Sequence, residues 1–87
     1  MIGDEQIEAI GRMAGSLALS ESMLPGLREQ FPGIHFTYCL DDDIIGARPV
    51  LQHERFNLYL VDTSSHCFTF TADAALATGI VVAEIDD

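Results

Sequence analysis

The chain has 87 residues, 48% of them hydrophobic, which is one domain on size and too apolar to stay disordered. Fourteen Asp plus Glu face four arginines (Arg12, Arg28, Arg48, Arg55) and no lysine, a net charge of −10. Such a chain offers no basic stripe to release counterions from a phosphate backbone, so neither nucleic acid nor an anionic membrane is an expected partner.

Residues 4–18 predict an amphipathic helix. Ile7, Ile10, Ala14 and Leu17 recur on one face, and Asp4, Glu5 and Glu8 sit where the helix dipole favours negative charge. Leu19-Ser20-Glu21-Ser22 reads as a break and restart. Ser20 or Ser22 caps a second helix running to about Phe31. Ser22 is the better choice because it places Pro25 in the first turn, where no N–H is needed. Leu24, Leu27 and Phe31 form its inner face, and Pro32-Gly33 ends it.

Residues 34–40 alternate and are rich in aromatic and β-branched types, the pattern of a strand. Phe36, Tyr38 and Leu40 share one face; His35, Thr37 and Cys39 share the other. Asp41-Asp42-Asp43 stops the strand. Residues 44–54, with Gly46 and Pro49, read as a long connection, and Pro49 argues against a central strand. Residues 55–62 predict a second strand with Phe56, Leu58 and Leu60 inward. A turn at Thr63-Ser64-Ser65 leads to a third strand, 66–71, with Phe68 and Phe70 inward, so the two make a hairpin. A short helix follows at 74–78, capped by Thr71 or Asp73 and ended by Gly79. Residues 80–85 give a last strand, apolar on both faces.

The expected order is ααβββαβ in a single α+β domain, residues 1–87. It is a two-layer sandwich whose mostly antiparallel sheet is covered by the N-terminal helices. Antiparallel pairing of the first two strands would bring Asp41 to Arg55. The outer face, with Thr37, Asn57, Tyr59, Val61 and Thr69, is partly apolar; the short helix or a partner covers it. An edge strand paired with its copy would make a homodimer.

Four groups of residues invite a chemical reading. His35, Cys39, His66 and Cys67 are the metal-ligating types. His35 and Cys39 point the same way but lie roughly 13 Å apart along their strand. With a strand between them, Cys39 and Cys67 would be about 10 Å apart, too far for a disulfide. No C-x2-4-C or H-x3-5-H pair of a zinc site occurs. Asp41, Asp42 and Asp43 lack the spacing of a calcium loop and serve first as a solvated strand end. Asp62, Ser64, Ser65 and His66 are triad ingredients crowded on one turn, where they make a turn rather than a catalytic site. With no nucleophile elbow, phosphate-cradling loop or H-E-x-x-H, no enzyme and no cofactor are expected. Tyr59 on the outer face joins the three aspartates as a candidate contact for a protein partner. Lacking a basic n-region, an apolar h-region and a membrane-length run, the chain is expected in the cytoplasm, with reduced thiols.

Phe31-Pro32-Gly33-Ile34-His35-Phe36-Thr37, followed by Cys39 and Asp42-Asp43, is one distinctive stretch. Phe56-Asn57-Leu58-Tyr59-Leu60-Val61-Asp62, followed by His66-Cys67 and Ala77-Thr78-Gly79, is another. In order and spacing, these stretches resemble an uncharacterised family of short acidic bacterial proteins encoded near nitrogen-fixation genes. The resemblance covers most of the chain from Ser20 onward. It implies a setting in nitrogenase maturation, electron supply or regulation, and it brings no assigned catalytic or binding residues. In that setting the chain is expected to be a non-enzymatic accessory protein docking on a protein partner. The alternative is a small metal or Fe–S carrier using Cys39, Cys67 and a His.

Overall fold

The computed structural model describes residues 2–63 and 69–85. The expected turn residues Ser64 and Ser65, together with His66, Cys67 and Phe68, lie outside them.

Helix α1, Asp4–Ser16, buries Ile7, Ile10, Gly11 and Ala14. Its first turn is closed by the Gln6 side chain, which accepts from the Gly3 N–H at 3.1 Å. It ends two residues earlier than its periodicity predicts. Leu17 is already extended, and the Arg55 guanidinium donates to the Gly15 and Leu17 carbonyls at 3.5 and 3.4 Å. An arginine from a distant hairpin thus serves carbonyls that the helix itself leaves unpaired.

The restart is capped by Ser20, not Ser22. Ser20 Oγ accepts from the Ser22 N–H, which starts a 3-10 turn, Glu21–Met23. That turn runs directly into α2, Leu24–Gln30, with Pro25 in its first turn as expected.

The strands are β1, His35–Leu40; β2, Leu51–Gln52; β3, Phe56–Asp62; β4, Thr69–Phe70; and β5, Gly79–Glu84. Their order is β1-β5-β3-β2, with β4 also on β3. Among the described residues only β1 and β5 pair in parallel; the other pairings are antiparallel. The α+β architecture is therefore the one expected: two N-terminal helices against a mostly antiparallel, five-stranded sheet. No helix among the described residues is long and apolar enough to cross a membrane.

Several details differ from the sequence reading. The first two expected strands do not pair, because β5 lies between them. Ile80, Val81, Val82 and Ala83 are all buried, and a strand apolar on both faces belongs in the middle of a sheet rather than at its edge. The connection 44–54 contains the edge strand β2, which joins β3 through a two-residue turn closed by His53 N–H to the Phe56 carbonyl at 2.8 Å.

Residues 74–78 make a single turn rather than a helix. The Asp73 carbonyl accepts from Leu76 and Ala77, and its carboxylate from Ala75. Gly79 enters β5 before a second turn can form, and one turn does not repay helix nucleation. This turn lies on the helical side, with Ala77 in the core there, so it does not cover the outer face. Phe70 is also not inward. Its register opposite Val61 puts it on the outer face, edge-on to Tyr59 with ring centroids 5.7 Å apart. Leu40 is exposed at the end of β1.

The sheet has a core on each side. Facing the helices are Phe36, Phe56, Leu58, Leu60, Ile80 and Val82. On the other face Tyr59, Val61, Val81 and Ala83 are buried, with Cys39, Ile44 and Ala47 packed on them. The cover of that second face is the chain's own connection after β1.

Candidate functional site

The acidic run after β1 is a 3-10 turn, Asp41–Asp43, whose members have separate roles. Asp41 is half-buried. Its Oδ1 accepts from the Asn57 amide at 3.0 Å and from the Tyr59 hydroxyl at 2.8 Å. Its carbonyl accepts from the Ile44 N–H at 3.0 Å. Asp42 and Asp43 are exposed.

The expected contact of Asp41 with Arg55 is replaced by this one. The register Leu40–Glu84–Phe56 across β5 carries the end of β1 to the start of β3. Asp41 then meets the outer-face side chains Asn57 and Tyr59, while Arg55 turns to the end of α1.

Asp41 anchors the segment that closes the second core. Ile44 and Ala47 pack down on the sheet, while Ile45 between them is 91% exposed. Gly46 takes a left-handed φ of 80° in this reversal, a conformation that residues with a Cβ rarely adopt. The result is a pinned loop that presents Asp42, Asp43 and Ile45 to solvent.

The Cys39 thiol lies beside it. Cys39 is half-buried, and burial first, then the charges of Asp43 and Asp41, push its pKa above the ordinary thiol value. His35 is exposed at the other end of β1 and does not converge with Cys39. Cys67 and His66 lie outside the described residues, and among the described residues no three His, Cys, Asp or Glu side chains gather to hold a metal.

Burial, and then Asp41, likewise raise the pKa of Tyr59, since a phenolate there would face the carboxylate it now donates to. Both shifts have the same sign for stability. The folded chain holds protons that the unfolded chain releases first. Stability is therefore full below the unfolded pKa values and falls as the pH climbs from about 8.5 upward. In a Cys67→Ser background, iodoacetamide should label Cys39 with a pH midpoint above that of the urea-unfolded chain. A midpoint at or below the unfolded value would show an activated thiol instead.

A family model matches residues 9–85, and the chain belongs to that family, a family of unknown function designated DUF6129. The sequence matches no curated protein and no solved structure. An uncharacterised family is what the resemblance led us to expect.

Proposed function

We propose that this member of a family of unknown function is a non-enzymatic accessory protein that docks on a basic surface of a protein partner. The observation that carries the reading is the pinned loop after β1. Asp42, Asp43 and the 91% exposed Ile45 stand on a segment fixed by the Asp41 hydrogen bonds and by Ile44 and Ala47. Charge on a net −10 body speeds encounter with a basic partner, and a fixed apolar side chain among carboxylates offers an anchor that loses little conformational freedom on binding. The resemblance of the residues from Ser20 onward to short acidic bacterial proteins encoded near nitrogen-fixation genes implies a setting among nitrogen-fixation proteins.

Capture on the immobilised chain at about 50 mM and about 500 mM salt tests it, since screening sharpens over that range. The expected result is an identified, basic nitrogen-fixation protein that is retained at low salt and released at high salt. Retention indifferent to salt, or no partner at all, contradicts docking through the acidic face.

A further inference from the structure

We draw no further inference here: the strongest candidate, the outer edge of β1, already has its Phe36 carbonyl accepting from the Arg28 guanidinium, and nothing in the structure shows what covers the rest of that edge.

Discussion

Gly79→Ala is expected to lower stability by about 2 kcal/mol, although alanine is ordinarily the better residue in a strand. Gly79 is the first residue of β5, beside His35 of β1 and Val61 of β3. A Cβ there would lie 2.9 Å from the His35 carbonyl oxygen, 3.0 Å from Val61 Cγ2 and 3.1 Å from the His35 Cβ. The first of these is backbone, so relief requires the strands to part rather than a side chain to turn. Overpacking of this kind costs about 1–3 kcal/mol, against a gain of about 0.4–1 kcal/mol from a less flexible unfolded chain. The overpacking wins, and an 87-residue chain has only about 4–13 kcal/mol to lose. Urea unfolding checks this: the midpoint should fall with the slope unchanged. A neutral or raised midpoint would mean that β1 and β3 are not held this close to β5.

Asp41→Ala should cost about 2–3 kcal/mol and loosen one face of the molecule. The substitution removes the shared acceptor of Asn57 and Tyr59. Tyr59 is only 5% exposed, so its hydroxyl loses a partner that water does not easily replace. Asp41→Asn keeps an oxygen and should cost about half as much, because the bonds lose their charge assistance but not their geometry. Tyr59→Phe on top of Asp41→Ala should add less than it does alone, since the two share one interaction. The measurement is urea unfolding of all four variants, with dye binding at zero urea to report opening of the second core. Full additivity, or an alanine variant as stable as the parent, would show that the hydrogen bonds do not hold the loop.

The layout of the fold was legible because its signals are local. Ile7, Ile10 and Ala14 repeat at helical spacing, and Phe56, Leu58 and Leu60 alternate at strand spacing; each set lies in the core where its period puts it. Strand order was not legible, because no single segment states its neighbours. Only the two-sided apolarity of Ile80 to Ala83 hints that β5 is central, and the same apolarity equally fits a face that a partner covers. The ambiguity carries through to the site. Pairing the first two strands directly brings Asp41 to Arg55 and leaves Asn57 without a partner, because the meeting of Asp41 with Asn57 depends on β5 lying between β1 and β3. The cover of the second face was missed for a related reason. Ile44 and Ala47 sit in a stretch without period, next to Gly46 and Pro49, and such a stretch reads as a loop whether or not it packs. Gly11 and Gly15 of α1 give way to Leu51 and His53, a close approach that only the placement of β2 reveals.

Carboxylate-to-lysine cross-linking tests the docking account most directly. A carbodiimide joins a carboxylate to a lysine amine only where the two already touch, and this chain has no lysine to react with itself. After activation in the presence of the captured partner, peptide mass spectrometry should find the joints at Asp42 and Asp43, and Ile45→Ser should reduce their yield. Joints concentrated at Glu5 and Glu8 of α1, or spread evenly over the carboxylates, would contradict docking through the loop that Asp41 holds in place.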